Sequence, residues 1–259
     1  MVTLQFTQTV TMSEDSVIPV TDGWEDLMGD GIRKCKIRDG AGESASMGTI
    51  VKCNLTGYIL NSETPFETLR DQTFKIGETD TIPALELSLR LAKIGEIYKV
   101  RCSSKFGYGP TERPEIKGND GSVIPAIPPD SSLEYHVEVL EHIDVSKIFV
   151  TDSSTNVPSS RDGALYECNL RKECGNRWFS YREFTRAGRA YSKGAEFAEN
   201  YLKSFDNSEV GEVDPEGLLM SAYVSCLNNL SACHLENHDY LKSKEVSTRH
   251  LSILQFDLS

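Results

Sequence analysis

The feature that most constrains the fold is a stretch of strict alternation between apolar and polar residues near the middle of the chain. Residues 133–139 read LEYHVEV, in which every second residue is apolar. Because successive side chains of a strand point to opposite faces, this pattern predicts a half-buried β-strand. An aromatic turn, FGYGP at 106–110, and the elbow Ile127-Pro128-Pro129 precede it. Together they predict an apolar rim at one end of the strand, although any antiparallel hairpin connection fits the pattern equally well.

Composition excludes several classes of function. The chain has 259 residues, 39% of them hydrophobic, which allows one large or two ordinary soluble domains. Its formal charge of −12 argues against a nucleic-acid-binding surface, which needs a basic face. No apolar run approaches ~18 residues, and the amino terminus lacks the pattern of a signal peptide. Seven scattered cysteines predict reduced thiols and therefore a cytoplasmic protein.

Shorter patterns upstream predict further strands at 33–38, 49–55, 73–77 and 97–102. The stretch Pro83–Leu91, PALELSLRL, is ambiguous because leucine alternates with polar residues at a period of two. That period favours a strand. Thr81 as a candidate N-cap, Pro83 in a first turn and the high helix propensity of leucine and alanine favour a helix, which is our prediction.

The order of the motifs carries a resemblance to a known family. Leu-Thr-Gly at 55–57, Pro-Phe-Glu at 65–67, FKIG at 74–77, DTIPAL at 80–85, Tyr-Gly at 108–109 and Ile-Pro-Pro at 127–129 follow one another. This order resembles that of the FK506-binding proteins (FKBPs), a family of peptidyl-prolyl cis-trans isomerases, and covers roughly residues 24–143. The opening WEDLMGDGIRK is similar to the membrane-anchored, Bcl-2-associated branch. The resemblance implies an α+β fold, an antiparallel half-barrel wrapped on one short helix, and activity without a cofactor.

The resemblance also implies the site residues. By position, the hydroxyl of Tyr108, the backbone N–H of Ile82 and the carboxylate of Glu67 match catalytic positions. The predicted substrate-binding residues are Phe66, Leu85, Ile127, Tyr135 and Leu55. Ordinary core packing is the alternative role for each apolar member. Leu85 and Leu55 replace a tryptophan and a tyrosine of the family, and Glu67 replaces an aspartate, so we expect weak isomerase activity and weak affinity for macrolide drugs.

The second half of the chain predicts helices. The signature positions of a tetratricopeptide repeat (TPR) are occupied by Gly175, Trp178, Ala187 and Tyr191. The first helix of a second repeat is predicted at 218–235. We therefore expect a flexible lead-in at 1–23, an isomerase-type domain at 24–144, a linker at 145–161 and a truncated TPR-like helical region at 162–259.

The helical region contains candidate partner-binding residues. Lys172, Asn176 and Asn229 match three positions of the carboxylate clamp with which such repeats bind the C-terminal EEVD of Hsp90. The cations of a third repeat are missing, so the expected binding is weak, and a solvated helix face is the alternative. Cys226 and Cys233 have the wrong spacing for a zinc knuckle, so we predict buried thiols and no metal site.

Two functions follow as hypotheses. The first is isomerisation of Xaa–Pro bonds in proline-containing client proteins, assisting their folding in the cytoplasm. The second is a non-catalytic adaptor, in which the same surfaces only bind partner proteins. Retained Tyr108, Phe66 and Ile82 favour the first, whereas Leu85 favours the second.

Overall fold

Antiparallel strands make up the first half of the protein. The computed structural model describes residues 23–29, 31–117, 123–145, 160–204, 214 and 216–256, with side chains described up to residue 248. The predicted lead-in (except Gly23) and residues 146–159 of the predicted linker lie outside these ranges. The strands are β1 (Trp24–Asp26), β2 (Ile32–Arg38), β3 (Ile50–Ile59), β4 (Pro65–Lys75), β5 (Ile97–Cys102), β6 (Ile116–Lys117), β7 (Val123–Ile124) and β8 (Leu133–Ile143).

Six of these strands form one sheet in the order β1-β2-β5-β8-β3-β4, and β6 and β7 form a small separate hairpin. The predicted alternation of β8 is confirmed. Leu133, Tyr135, Val137 and Val139 are all buried, and the residues between them are partly exposed. On the neighbouring strand, Tyr135 pairs with Gly57 and Val137 pairs with Leu55. The buried faces of β3 and β8 therefore form one continuous apolar surface.

Helix α1 (Pro83–Leu91) packs against β5 and shares the hydrophobic cluster of this surface, and its prediction as a helix is confirmed. Leu85 and Leu89, four residues apart, are buried with Ala84 and Ser88, whereas Leu91 is exposed. Helical geometry thus buries one face, which a strand could not do with the same four residues. The prediction of Thr81 as the N-cap was wrong. Ile82 occupies that position without a side-chain cap, and Pro83 starts the helix with the φ angle that helices need.

Two strand predictions were too short. β3 continues to Ile59, beyond the turn predicted at Gly57, and β4 begins at Pro65 rather than at residue 73. The pairing of β3 with β4 shifts register between Cys53 and Leu55 and between Gly57 and Tyr58, and the extra residues lie on β4. Such irregularities break the period of two without ending the strand, which hides its true length from a pattern search.

The second half of the chain is helical, as predicted: α2 (Arg161–Ser180), α3 (Phe184–Leu202), α4 (Leu218–Glu236) and α5 (Tyr240–Phe256). Gly175 lets α2 and α3 approach closely, because a Cβ there would lie 2.5 Å from the ring of Tyr191. Within the described ranges, no helix is both long and apolar enough to span a membrane.

The close approach at Gly175 gives a stability prediction. Gly175→Ala should lower the free energy of unfolding by about 1–3 kcal/mol, because the added methyl group overlaps the Tyr191 ring. Gly188→Ala on α3 is the matched control. Its Cβ would meet Leu230 at an ordinary 3.5 Å, so the higher helix propensity of alanine should raise stability by up to ~1 kcal/mol. Urea unfolding followed by circular dichroism measures both, and equal stability of the two variants would contradict the packing described.

Candidate functional site

The predicted apolar residues lie together in one hydrophobic cluster. We call Phe66, Ile82, Leu85, Tyr108, Ile127 and Tyr135 the cup. All six belong to one hydrophobic cluster, in which Tyr108 is partly buried and the other five are buried. The Phe66 ring packs edge-on against Tyr108 and Tyr135, with centroid distances of 6.3 and 5.7 Å. Leu55, the remaining predicted substrate-binding residue, is buried in the same cluster.

Gly57 makes the convergence of the rings possible. A Cβ at this position of β3 would lie 2.7 Å from the rings of both Phe66 and Tyr135. Since real Cβ atoms do not come this close to other atoms, any larger residue would push the two rings apart. The backbone of β3 itself thus forms one wall behind the cup.

Glu67 lies beside the cup and accepts two hydrogen bonds from phenol groups. The Tyr135 hydroxyl donates to Oε1 at 2.8 Å, and the Tyr181 hydroxyl donates to Oε2 at 2.7 Å. Burial and the nearby Glu67 carboxylate raise the pKa of both tyrosines well above the ordinary value, so both remain protonated donors. The carboxylate is therefore held from both sides.

Tyr181, which sequence reasoning missed, comes from the other half of the chain. It is the residue that ends α2, it is 7% exposed, and its ring packs edge-on against Trp178. Tyr181 and Trp178 belong to the same hydrophobic cluster as the cup. The carboxyl end of α2 thus lies over the cup and closes it.

Arg113 is the second residue that sequence reasoning missed. Its guanidinium lies 4.8 Å from the ring centroids of Tyr108 and Tyr181 and 5.1 Å from that of Phe66. The residue is 2% exposed, and Nε, Nη1 and Nη2 have no acceptor among the residues that the structure describes. Two backbone hydrogen bonds with Ile127, of 3.0 and 2.8 Å, fix its position. The loop before Ile127 therefore inserts a cation into the cup.

A buried ion pair attaches α2 to the loop that precedes α1. Arg171 pairs with Asp80, and both side chains are at most 2% exposed. Arg171 Nη2 donates to Asp80 Oδ2 at 3.0 Å, and Arg177 Nη2 donates to the Asp80 carbonyl oxygen at 2.8 Å. Burial alone would lower the pKa of Arg171, but the Asp80 carboxylate raises it above the ordinary value. A second pair, Lys75 with Glu167, lies along the same interface.

The predicted partner-binding residues lie on the helices. Asn229 Nδ2 donates to Asn176 Oδ1 at 3.3 Å, and the Tyr191 hydroxyl donates to the same oxygen at 2.7 Å. Lys172 lies one turn before Asn176 on α2 and is partly exposed. The structure thus joins Asn176 and Asn229 directly, with Lys172 nearby on the same helix.

The cysteines near this surface are buried, as predicted. Cys226 and Cys233 are at most 1% exposed, and Cys226 Sγ lies 3.7 Å from Cys168 Sγ. The described residues contain no group of three or more histidine, cysteine, aspartate or glutamate side chains placed to hold a metal ion.

Part of the chain around the cup is similar to known proteins. Residues 41–140 match the model of the family described as FKBP-type peptidyl-prolyl cis-trans isomerase. The chain is 26% identical to FK506-binding protein 5 of Rhizopus delemar over 225 residues, which are 85% of this chain and 51% of that protein. It is 28% identical to the inactive peptidyl-prolyl cis-trans isomerase FKBP6 of Bos taurus over 178 residues, 65% of this chain and 51% of the relative. The chain thus spans about half the length of these relatives.

Among solved structures, the N-terminal domain of FKBP42 from Arabidopsis thaliana is similar at 24% identity, with a TM-score of 0.38. The match covers 52% of this chain and 98% of that one.

The Asp80–Arg171 pair gives the prediction for this interface. Asp80→Asn keeps the shape of the side chain but leaves Arg171 buried without a counter-charge, which should cost about 3–5 kcal/mol of unfolding free energy. Asp239→Asn is the matched control, since Asp239 pairs with the exposed Lys242, and it should change stability little. Urea titrations of both variants measure the difference. If the two substitutions have the same small effect, the Asp80 pair does not hold the halves together.

Proposed function

We propose that the cup binds proline-containing segments of client proteins and catalyses cis-trans isomerisation of their Xaa–Pro bonds. The match of residues 41–140 to the family model of FKBP-type isomerases supports this proposal. The observation that supports the proposal is that Phe66, Tyr108 and Tyr135 share one hydrophobic cluster with Ile82 and Ile127. An apolar, aromatic surface of this kind suits the ring of a proline, which is apolar and compact.

The chemistry needs neither a nucleophile nor a metal. Rotation about an Xaa–Pro bond is slow because amide resonance must be broken, with a barrier near ~18–20 kcal/mol. The cis and trans forms differ by only about 0.5–1 kcal/mol. A site that removes water from the amide and stabilises its twisted form therefore accelerates exchange in both directions. In the cup, the Tyr108 hydroxyl and the Ile82 N–H are the groups that we assign to the substrate carbonyl oxygens.

Closure of the cup limits this activity. Tyr181 lies against Arg113 and donates to Glu67, so a substrate must displace its ring to enter. The loss of a tryptophan at Leu85 further reduces the stacking surface for a proline ring. We therefore propose a weak isomerase whose activity depends on how often the end of α2 leaves the cup.

The alternative function is a non-catalytic adaptor that binds partner proteins. The same closure by Tyr181 favours it, and the bovine relative is named an inactive isomerase. Isomerase and adaptor both require the cup to open for a ligand. They differ in whether an Xaa–Pro bond in a bound peptide exchanges faster than in free solution.

For protein partners, we propose that Lys172, Asn176 and Asn229 bind a carboxyl-terminal peptide of the Hsp90 type in the cytoplasm. The hydrogen bond between Asn176 and Asn229 supports a common binding surface. We also propose that the chain belongs to the membrane-anchored, Bcl-2-associated branch of the FKBPs, because its opening WEDLMGDGIRK is similar to that branch.

The isomerase proposal predicts that trimming Tyr181 activates the protein. Tyr181→Ala removes one hydrogen bond to a carboxylate and one ring from the cup, so kcat/KM for a prolyl peptide should rise about tenfold or more. Tyr240→Ala, at an exposed tyrosine of α5, is the matched control and should leave the rate unchanged. The rate is measured as cis-trans exchange of an acetyl-Ala-Leu-Pro-Phe amide by NMR. Absence of catalysed exchange with the parent and with Tyr181→Ala would favour the adaptor.

The partner proposal predicts weak, carboxylate-dependent peptide binding. A fluorescent peptide ending in EEVD should bind the full chain, and Lys172→Glu should weaken that binding because it reverses the charge facing the carboxylates. Fluorescence anisotropy measures the affinity, and the same peptide with an amidated C-terminus is the control. Equal binding of the free-acid and amidated peptides would exclude a carboxylate clamp.

A further inference from the structure

Arg113 brings five N–H donors and a permanent positive charge into the cup. Its side chain is 2% exposed, and none of its three nitrogen atoms has an acceptor within the described part of the chain. Buried polar groups are nearly always hydrogen-bonded, because an unpaired group loses its interactions with water without compensation. The position therefore calls for a compensating partner.

Three aromatic rings compensate the charge in part. Phe66, Tyr108 and Tyr181 present their rings to the guanidinium at centroid distances of 4.8 to 5.1 Å. Such rings attract the cation through their electron-rich faces. They supply no oxygen atom along the N–H bonds, so no described residue uses the hydrogen-bonding capacity of the Arg113 side chain.

Glu67 does not supply the missing acceptor. Both of its carboxylate oxygens accept from phenol hydroxyls, those of Tyr135 and Tyr181. Within the described ranges, no ion pair within 4 Å joins Arg113 to any carboxylate; Asp80–Arg171, Lys75–Glu167 and Glu78–Lys193 join other residues of the two halves. A carboxylate from outside the protein would therefore meet a guanidinium that no described residue engages in a hydrogen bond.

The cation cannot easily withdraw. Its backbone exchanges two hydrogen bonds with Ile127, one of the cup residues, so the loop and the cup form one unit. A guanidinium that is fixed before the ligand arrives loses little entropy on binding. It can donate two parallel hydrogen bonds to one carboxylate.

From these observations we propose that Arg113 makes the cup selective for prolines flanked by an acidic residue, whose carboxylate pairs with the guanidinium when Tyr181 leaves. The inference rests on the proposed binding of prolyl segments to the cup and names the class of segment that it prefers. In the closed form, the ring of Tyr181 covers the cation in place of such a ligand.

The test compares peptides that differ in one charge. Acetyl-capped, amidated peptides with Glu-Pro, Gln-Pro, Leu-Pro, Pro-Glu and Pro-Gln are used, so that no terminal carboxylate interferes. With the full-length Tyr181→Ala chain, kcat/KM by NMR exchange should favour glutamate over glutamine about tenfold in at least one of the two positions. The preferred position shows on which side of the proline the carboxylate lies.

Two variants at Arg113 separate the roles of charge and shape. Arg113→Met keeps an unbranched side chain without charge, and it should abolish the preference for glutamate while Leu-Pro exchange persists. Arg113→Lys keeps the charge but not the bidentate geometry, and should retain part of the preference. Should either variant fail to fold, the glutamate-to-glutamine ratio of the unaltered Arg113 chain still decides. Equal values for the paired peptides would overturn the proposal.

Failure of catalysis is distinguishable from failure of selectivity. If no peptide exchanges faster with the protein, the proposed isomerase function fails, and the same peptides carrying a fluorophore are then titrated by anisotropy. Tighter binding of the glutamate than of the glutamine peptide supports an acid-selective cup in an adaptor. Equal affinities overturn the selectivity.

Discussion

The buried contact between Asp80 and Arg171 is the interaction on which the arrangement of the two halves depends. Removing two charges from water costs several kcal/mol for each ion, so such a pair persists only with additional hydrogen bonds. Asp80 receives them, because the Lys75 N–H donates to its carboxylate at 2.8 Å and Arg177 donates to its carbonyl oxygen. Tyr181 follows Arg171 by ten residues, about 15 Å along a helix. Fixing Arg171 against the loop before α1 therefore determines where Tyr181 lies.

Tyr181 contacts both charged groups of the site, the Glu67 carboxylate and the Arg113 guanidinium. Its hydroxyl donates to Glu67, and its ring face lies against Arg113. The two opposite charges are thus stabilised through aromatic side chains and not by direct contact with each other. A phenylalanine at this position could provide only the ring and would leave Glu67 Oε2 without its donor. The phenol therefore makes the end of α2 specific for the surroundings of Glu67 and Arg113.

The sequence predicted local structure well and long-range contacts poorly. The period of two at 133–139 and the first-turn proline of α1 act within a few residues, so β8 and α1 were predictable. The apolar residues taken from the ordered motifs lie in one hydrophobic cluster, and their role as a site stays a prediction. By contrast, Tyr181 contacts Glu67 across 114 residues, and Arg171 contacts Asp80 across 91. No periodicity or spacing encodes such pairings, and Arg113 lies in a loop whose polar composition indicates a solvated position.

For the proposed prolyl ligand, the closed cup also defines what the ligand must offer. Cup residues and residues of α2 and α3, among them Trp178 and Tyr191, share one hydrophobic cluster, so opening exposes apolar surface at about 25 cal/mol for each Å². The closed form is therefore favoured until a ligand replaces what Tyr181 provides. A proline ring alone restores the apolar contact but gives Glu67 no donor and Arg113 no acceptor. A segment that combines proline with a neighbouring carboxylate and a backbone N–H replaces all three interactions. On this proposal, the residues that flank the proline determine which segments enter the cup, more than the proline itself does.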